Sequence, residues 1–340
     1  MGSRDLGPLA RATPMDALGR EDVGLADHFR RDHFPHPAQD PGSWSVAVGG
    51  LVGLPRSFSL DELRALPSGT LRVVLECAGN RRSEFEPMPE GLPWEAGAVA
   101  EAEWTGVRLA DVLVLAGGVQ PEATAVVLEG ADAGAVPRGG VERFSRALPL
   151  AKALDPDTLL AFAAGAEALP VERGGPVRAI VPDWYATDSV KWLSRIEVIA
   201  GEHDGWYEAH DYRLRAPGES GAGERLGQLP VHALILGPAD GDAAAAGPVE
   251  VSGIAWGGSG GVAEVCVNVD DGPWLPARLG PDRGRFARRF WNIEVSLERG
   301  DHTLAVRARD AAGANQPLSP PPNQDGYANN SVHRVRVSAR

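Results

Sequence analysis

The chain has 340 residues, of which 43% are hydrophobic and 23% are charged, and its formal net charge is −13. This length suits two domains of ordinary size, and the composition is that of a globular protein. The acidic balance argues against non-specific nucleic-acid binding, which needs a net basic face. It is compatible with a local basic pocket that binds a small anion.

Membrane segments and export signals are not indicated by the sequence. It has no run of 18 apolar residues, so it predicts no transmembrane helix and no membrane partner. The first residues have no apolar stretch of the kind found in signal peptides and no twin-arginine signal. We therefore expect a cytoplasmic protein, or a periplasmic one if a leader has been removed.

The first part of the chain mixes strand-like and helix-like segments. Residues 43–48 alternate polar and apolar side chains, which predicts a strand with one buried face. Ser59 and Glu62 have the spacing of a capping box and predict the start of a short helix. Three further elements are predicted from apolar runs or helical spacing: a strand at 71–75, a helix at 107–116 and a strand at 177–181.

The second part of the chain has a different pattern. Five apolar segments separated by Gly, Pro, Asp and Asn predict β-strands at 249–254, 263–269, 286–295, 303–308 and 332–337, and residues 240–247 predict a loop. Strands at this spacing without helices are typical of an immunoglobulin-like sandwich. The predicted fold class is therefore α+β followed by an all-β sandwich. Its parts are an N-terminal extension at 1–15, an α+β domain at 16–215, a Gly-rich linker at 216–228 and an all-β domain at 229–340.

The two cysteines are too few for a disulfide framework, so each needs its own interpretation. Cys77 follows a predicted strand, and loops held by a rigid element often carry functional side chains. A thiolate suits a soft or high-valent metal, and the nearby Arg81 and Arg82 favour the deprotonated form. The alternative is a buried structural cysteine, the commoner role of a lone cysteine. We interpret Cys266, in a predicted strand, in that second way.

The string CAGNRR at residues 77–82 resembles the signature of the sulfite oxidase family, which includes the molybdopterin domain of assimilatory nitrate reductases. Other segments resemble the family's motifs in the same order along the chain: 29–35, 91–98, 104–107, 130–132, 175–178, 189–193 and 211–213. Residues 253–258, 315–317 and 329–335 are similar to the family's immunoglobulin-like dimerisation domain. The resemblance extends from about Thr13 to the C-terminus.

This resemblance implies a molybdenum cofactor in which molybdopterin brings two sulfurs to the metal and Cys77 adds a third. It also implies the residues that contact the cofactor, among which Arg178 and Lys191 suit its terminal phosphate. The implied cofactor contacts are Asp32, His33, Asp132, Arg173, Arg178, Ser189 and Lys191. The implied substrate pocket is lined by Arg31, Arg82 and Tyr212, and Trp94 packs beside it. The resemblance also implies an arginine from the second domain, for which Arg285 is preferred over Arg288 and Arg289.

Three positions depart from the family pattern, and one of them is Ala164-Gly165, where the family has an asparagine-glycine step. Asp32 stands where the family has an asparagine, and a carboxylate there weakens the attraction of an anion unless a cation faces it. Arg173 stands where the family commonly has a histidine that contacts the cofactor. An arginine can still bind a phosphate or a pterin oxygen, but through a different contact.

The activity implied by the resemblance is the oxidation of sulfite to sulfate in a homodimer. The chain has no C-x-x-C-H haem motif, so we expect the electrons to pass to a separate c-type cytochrome or to oxygen. One alternative is a molybdoenzyme that reduces another oxyanion or a sulfoxide. The other is a family member without catalytic activity that acts as a binding module.

Overall fold

The computed structural model describes residues 6–7 and 9–340. Part of the N-terminal extension predicted at 1–15 therefore lies outside the described residues. The first domain has these strands: β1 (Ala10–Arg11), β2 (Arg30–Arg31), β3 (Ser45–Gly50), β4 (Arg56–Ser59), β5 (Ser68–Glu76), β6 (Val99–Arg108), β7 (Ala125–Ala135), β8 (Val141–Pro149), β9 (Leu159–Ala164), β10 (Glu167–Ala168), β11 (Arg178–Ile180), β12 (Leu193–Ile199), β13 (Arg213–Leu214) and β14 (Glu224–Arg225).

The helices of this domain are short. They are α1 (Met15–Leu18), α2 (Leu60–Arg64), α3 (Leu109–Leu115), α4 (Leu150–Ala153) and α5 (Trp206–Ala209), with 3-10 turns at Leu25–Asp27, Arg82–Glu84, Val171–Arg173 and Ala186–Asp188. Among residues 6–7 and 9–340, no helix is long and apolar enough to cross a membrane.

Two sheets form most of the first domain. One has the order β4-β3-β12-β7-β8, in which only β3 and β12 run parallel. The other has the order β10-β9-β6-β5, and β11 also pairs with β9. Val46 of β3, Leu109 of α3 and Ile196 of β12 are fully buried in the shared core. Their burial explains the alternating pattern of β3 and the apolar face of α3.

The capping box predicted from Ser59 and Glu62 is confirmed. The Ser59 hydroxyl accepts a hydrogen bond from the Glu62 amide at 3.2 Å, and the Ser59 amide donates to Glu62 Oε2 at 2.8 Å. The helix predicted at 107–116 is shorter than expected, because β6 continues through Arg108. Val107 pairs with residues of both β5 and β9, so its apolar side chain belongs to the sheet.

The second domain is a sandwich of two sheets, as predicted. Their orders are β15-β17-β21-β20 and β16-β23-β22-β18-β19, and their inner faces bury a common apolar core. Its strands are β15 (His232–Gly237), β16 (Asp242–Ala244), β17 (Gly247–Trp256), β18 (Val262–Val269), β19 (Leu275–Pro276), β20 (Arg278–Leu279), β21 (Arg289–Leu297), β22 (Gly300–Asp310) and β23 (His333–Ala339).

Three details of the second-domain prediction are wrong. The loop predicted at 240–247 contains β16, which pairs in parallel with β23. The strand predicted from residue 286 begins at Arg289, because Phe286 and Arg288 bond through their backbones to the first domain. Cys266 is only half-buried, since its neighbours Val265 and Val267 take the core-facing positions of β18.

Part of the segment predicted as a linker, 216–228, packs with the first domain. Its β14 pairs with β13, and Leu226 is buried in the first-domain core. Leu229, at the predicted start of the second domain, is buried in the same core. Leu226 and Leu229 therefore pack with the first domain.

A buried carboxylate joins the two domains directly before Cys77. Glu76, the last residue of β5, accepts hydrogen bonds from Trp256 Nε1 and from Asn80 Nδ2, each at 2.8 Å. His232 stacks on Trp256 at 5.1 Å between ring centroids. Burial raises the pKa of Glu76 to about 7, opposed by the bonds from Asn80 and Trp256.

We expect Trp256→Phe to lower the free energy of unfolding by roughly 1–3 kcal/mol, because it removes a donor from a buried carboxylate. Equilibrium urea unfolding measures this change. Trp274→Phe is the matched control, since the Trp274 ring lies under Arg307 near the surface of the second domain. Equal stability of the Trp256→Phe variant and the wild type would contradict a stabilising role of this interdomain bond.

Candidate active site

A cavity with an empty volume of about 790 Å³, part of it open to solvent, lies beside the end of β5. The loops before β3 and between β11 and β12 form much of its wall. It brings together ten of the residues predicted for the site: Arg31, Asp32, His33, Cys77, Asp132, Arg173, Arg178, Ser189, Lys191 and Tyr212.

Cys77 is the first residue after β5 and is fixed by its own backbone, since its amide donates to the Ala98 carbonyl at 2.9 Å. The side chain is buried, and burial raises the pKa of the Cys77 thiol above its usual value. The positive charges of Arg82 and Arg31 oppose this shift. The contribution predicted for Arg81 is wrong, because its guanidinium pairs with Glu84 at 2.6 Å and donates to a second-domain carbonyl.

Arg178 is a buried cation whose hydrogen-bond acceptors are neutral backbone carbonyl groups. Nη1 donates to the Arg173 carbonyl at 3.0 Å, and Nη2 donates to the Ser189 carbonyl at 2.8 Å. Burial, together with the charge of Arg173, lowers the pKa of Arg178 to about 9. Arg178 Nε and the Thr187 hydroxyl are buried without a hydrogen-bond partner in the described part of the chain. An unpaired buried cation beside unsatisfied donors is the environment that a bound anion stabilises.

Arg173 is also buried at the cavity, and its guanidinium donates to the carbonyls of Phe29 and Ala26 at 3.0 and 3.2 Å. Burial, with the nearby charges of Arg11 and Arg30, lowers its pKa to about 10. Arg173 therefore adds positive potential beside Arg178.

Asp32, the departure from the family's asparagine, is a neutralised carboxylate. Its side chain is fully buried and accepts a hydrogen bond from Lys191 Nζ, while His36 Nε2 lies 2.9 Å from Oδ2. The Arg30 guanidinium is 3.6 Å away. Lys191 and Arg30 therefore face the carboxylate, and the guanidinium groups of Arg31, Arg173 and Arg178 remain in the cavity for an anion.

Arg31, His33 and Tyr212 form a chain of polar contacts along the cavity wall. Arg31 Nη2 is 3.1 Å from His33 Nδ1, and His33 Nε2 is 2.7 Å from Tyr212 Oη. The backbone of Tyr212 has a φ of +48°, in the left-handed region. Burial raises the pKa of the Tyr212 phenol above its usual value, so the hydroxyl is protonated at neutral pH.

Asp132 also lines the cavity and belongs to β7. It lies where the pairing of β7 with β8 is irregular. Burial raises the pKa of Asp132 to about 7. Position 130 of β7 requires a glycine, because a Cβ there would lie 2.4 Å from Asp132 Oδ1 and 2.8 Å from the Lys191 carbonyl oxygen. A larger residue at 130 would displace the carboxylate from the cavity.

Three predicted site residues do not line the cavity. Trp94 is buried in a small apolar cluster that includes Cys77, so it packs directly behind the loop. Arg82 donates from Nε to the Asp325 carbonyl at 2.8 Å and from Nη1 to the Leu92 carbonyl at 3.0 Å. Trp94 is therefore tied to the site through its apolar cluster with Cys77, and Arg82 through the effect of its charge on the pKa of the Cys77 thiol.

Arg285, the preferred arginine of the second domain, is not brought to the cavity. Its side chain is 59% exposed, lies 3.4 Å from Asp183 and covers the ring of Phe286. Arg288 and Arg289, the two alternatives to Arg285, also form hydrogen bonds away from the cavity. Arg288 donates to the Leu18 carbonyl and Arg289 donates to the Gly280 carbonyl. Among the described residues, none of these three arginines lines the cavity.

The second domain instead approaches the site with Tyr327, which sequence reasoning missed. Its ring stacks on Tyr212 at 5.4 Å and lies under the guanidinium of Arg82. Its hydroxyl donates to Asp211 Oδ1 at 2.6 Å, and the same oxygen accepts from the Tyr212 amide at 2.7 Å. Tyr327 precedes the motif at 329–335 by two residues, and that proximity was the only signal available.

We expect Tyr327→Phe to lower the free energy of unfolding by about 1.5–3 kcal/mol, because its hydroxyl bonds to a carboxylate. Chemical denaturation measures the effect. Tyr207→Phe is the control, since its ring packs in the same aromatic group against His33. If the Tyr327→Phe variant unfolds at the same denaturant concentration as the wild type, the bond to Asp211 does not hold the two domains together.

Comparison with known proteins shows the family to which the chain belongs. Residues 33–207 match the family model of the oxidoreductase molybdopterin binding domain, and residues 224–340 match that of the Mo-co oxidoreductase dimerisation domain. The fold and the cavity thus define a molybdopterin-binding oxidoreductase domain joined to a dimerisation domain. The chain belongs to the sulfite oxidase family.

Several sulfite oxidases are similar over most of this chain. The mitochondrial enzyme of Homo sapiens is 35% identical over 91% of the chain, and the chain covers 60% of that relative's length. The enzyme of Gallus gallus is 36% identical over 90% of the chain and 71% of its own length. The enzyme of Arabidopsis thaliana is 31% identical over 96% of the chain and 91% of its own length.

A solved structure has the same overall fold. The sulfane dehydrogenase SoxCD from Paracoccus pantotrophus superimposes with a TM-score of 0.84 and 25% identity. The similarity covers 98% of this chain and 88% of that chain. Both domains and their order are therefore shared with SoxCD.

The residues at the cavity fit the molybdenum–molybdopterin cofactor of this family. Among the described residues, no group of three or more His, Cys, Asp or Glu side chains could hold a metal ion. Cys77 would supply a single sulfur ligand, which suits a metal whose other sulfur ligands come with the pterin. Arg178 Nε and the Thr187 hydroxyl are the unsatisfied donors that a phosphate or a pterin oxygen would accept from.

Proposed function

We propose that this member of the sulfite oxidase family oxidises sulfite to sulfate in the cavity beside Cys77. The observation that carries the proposal is the presence of Arg31 and Tyr212 in the same cavity as the Cys77 thiol. The positive charge of Arg31 opposes the rise that burial causes in the pKa of the Cys77 thiol.

The chemistry of the substrate explains this arrangement. A small doubly charged oxyanion loses most of its hydration on entering a narrow cavity. The guanidinium of Arg31 replaces the lost water with charge-assisted hydrogen bonds. The fixed charge also excludes cations, so the cavity selects small anions although the whole chain is acidic.

The cofactor, when bound, supplies the transfer of an oxygen atom and the change of two electrons. The residues of the chain bind and orient the oxyanion next to Cys77. Removal of the electrons requires an external acceptor, for which we propose a c-type cytochrome or oxygen. We further propose a homodimer, supported by the match to the dimerisation domain, and a cytoplasmic location.

Steady-state assays with sulfite and ferricyanide test the proposal. We expect turnover by the wild type, and in Arg31→Gln a KM for sulfite raised by roughly 10–100-fold, from the loss of a charged hydrogen bond. Arg195→Gln is the control, since that arginine lies 52% exposed and pairs with Glu197. Its KM should equal that of the wild type.

Two other outcomes would overturn the proposal. Turnover with a reduced dye and nitrate or a sulfoxide, without turnover of sulfite, would identify a reductase. Turnover of a sulfane sulfur compound alone would align the chain with the sulfane dehydrogenase whose fold it shares. Absence of molybdenum from purified protein, with no turnover of any of these compounds, would identify a binding module.

A further inference from the structure

We infer that the second domain positions the metal-binding cysteine, and that Arg81 is the positioning residue through which it does so. Among the described residues, those that line the cavity all lie between His28 and Tyr212, in the first domain. Within that part of the chain, the second domain therefore adds no side chain to the cavity wall. Its contacts lie instead on residues 76–82, which we call the cysteine turn.

Bonds from the second domain flank Cys77 on both sides. Trp256 Nε1 donates to Glu76 Oε2 at 2.8 Å, one residue before the cysteine. The Ala328 amide donates to the Ala78 carbonyl at 2.9 Å, one residue after it. The backbone around the thiol is therefore held from outside the first domain as well as from within it.

Arg81 closes the cysteine turn and is fixed by both domains. Its Nη1 donates to the Ser331 carbonyl at 2.6 Å, and its own carbonyl accepts from Asn329 Nδ2 at 3.0 Å. From the first domain, Glu84 accepts from Nε at 2.8 Å and from Nη2 at 2.6 Å. The Arg81 side chain is buried. Both its guanidinium and its backbone carbonyl therefore depend on the second domain.

The backbone conformation of Arg81 needs these bonds. Its φ is +62°, in the left-handed region, and Ala328 on the other side of the contact has a φ of +56°. Residues other than glycine persist in this region where the surrounding structure holds them there. Without its second-domain partners, Arg81 would relax toward a negative φ. The turn before it, in which the Asn80 amide donates to the Cys77 carbonyl at 2.9 Å, would then change shape.

The consequence of such a change falls on the sulfur of Cys77. The thiol lies four residues before Arg81, whereas cavity residues such as Arg178 and Lys191 belong to other segments and keep their own bonds. A shift of the turn would therefore move the thiol relative to the rest of the cavity. Misplacing a reacting group by about 1 Å can cost roughly 100-fold in rate. The second domain thus contributes alignment of the metal ligand.

Arg81→Lys tests the inference, with Arg288→Lys as the matched control. Lysine keeps the charge but has a single nitrogen in place of the guanidinium fork. Arg288 is also a buried arginine at the domain interface, and it donates to the carbonyls of Leu18 and Arg20, each at 2.6 Å. Both variants weaken the contact between the domains, but only Arg81→Lys removes bonds from the cysteine turn.

Two measurements on the metal-loaded proteins report on the turn without any substrate. In Arg81→Lys, we expect hydrogen exchange of residues 77–82, followed by mass spectrometry, to be about tenfold faster than in the wild type. We also expect shifted g-values in the electron paramagnetic resonance spectrum of Mo(V) generated with dithionite. Arg288→Lys should match the wild type in both. Because dithionite replaces the substrate, the result does not depend on the proposed oxidation of sulfite.

If Arg81→Lys does not fold, Asn329→Asp takes its place. Aspartate has the shape of asparagine but cannot donate to the Arg81 carbonyl. Loss of molybdenum from either variant, with full retention in Arg288→Lys, would support the inference. Wild-type g-values in the folded, metal-loaded variant would overturn it. The same spectral change or the same metal loss in Arg288→Lys would also overturn it, because the effect would then come from domain packing in general.

Discussion

Replacing Cys77 with serine is expected to lower kcat for sulfite oxidation by about 10³-fold or more, because a neutral hydroxyl is a poor substitute for a thiolate on a soft or high-valent metal. The fold should remain intact, since serine is close in size and the bond to the Ala98 carbonyl comes from the backbone. Dye-coupled turnover and molybdenum analysis on one preparation measure both effects. Molybdenum per chain is expected to fall below the wild-type value.

Cys266→Ser is the matched control for this experiment. It makes the same chemical change on β18 of the second domain, at a half-buried position away from the cavity. Activity and metal content should be those of the wild type. Sulfite turnover by Cys77→Ser comparable with that of the control would contradict the assignment of Cys77 as the metal ligand.

Arg178→Gln is expected to weaken cofactor binding by roughly 10–100-fold, the effect of losing a charge-assisted hydrogen bond to an anion. Glutamine can still donate to one of the carbonyls that Arg178 bonds, those of Arg173 and Ser189. Burial lowers the pKa of Arg178, so the cation is costly in the protein without an anion. The cofactor-free variant should therefore be no less stable than cofactor-free wild type.

Pterin content after purification and thermal unfolding of the cofactor-free protein measure these two effects. Arg195→Gln again serves as a control, because it removes an exposed arginine from β12. A full complement of pterin in Arg178→Gln would show that other groups hold the phosphate. Lys191 would then be the first residue to consider, since it lines the same cavity as Arg178.

The elements that local patterns specify could be predicted from the sequence. The alternation in β3 and the capping box at Ser59 depend on residues a few positions apart, and both were found. The strand that ends at Glu76 and presents Cys77 was predicted for the same reason. The start of α3 was misplaced because Val107 fits an apolar helix face and a buried strand equally well.

The parts of the site that depend on contacts between distant segments could not be predicted. Tyr327 reaches Tyr212 only because the second domain packs on the first, and no local pattern encodes that approach. Arg285 was chosen from its position in the sequence, whereas its ion pair with Asp183 depends on the fold. The partner of Asp32 is likewise distant, since Lys191 lies 159 residues further along the chain.

Molybdenum K-edge X-ray absorption of the purified protein tests the Cys77–molybdenum bond most directly. With two sulfurs from the pterin and one from Cys77, the fitted first shell of the wild type should contain three sulfur neighbours. The same measurement on any Cys77→Ser protein that retains metal should give two. Two sulfur neighbours in the wild type would contradict the account, because Cys77 would then not be bound to the metal.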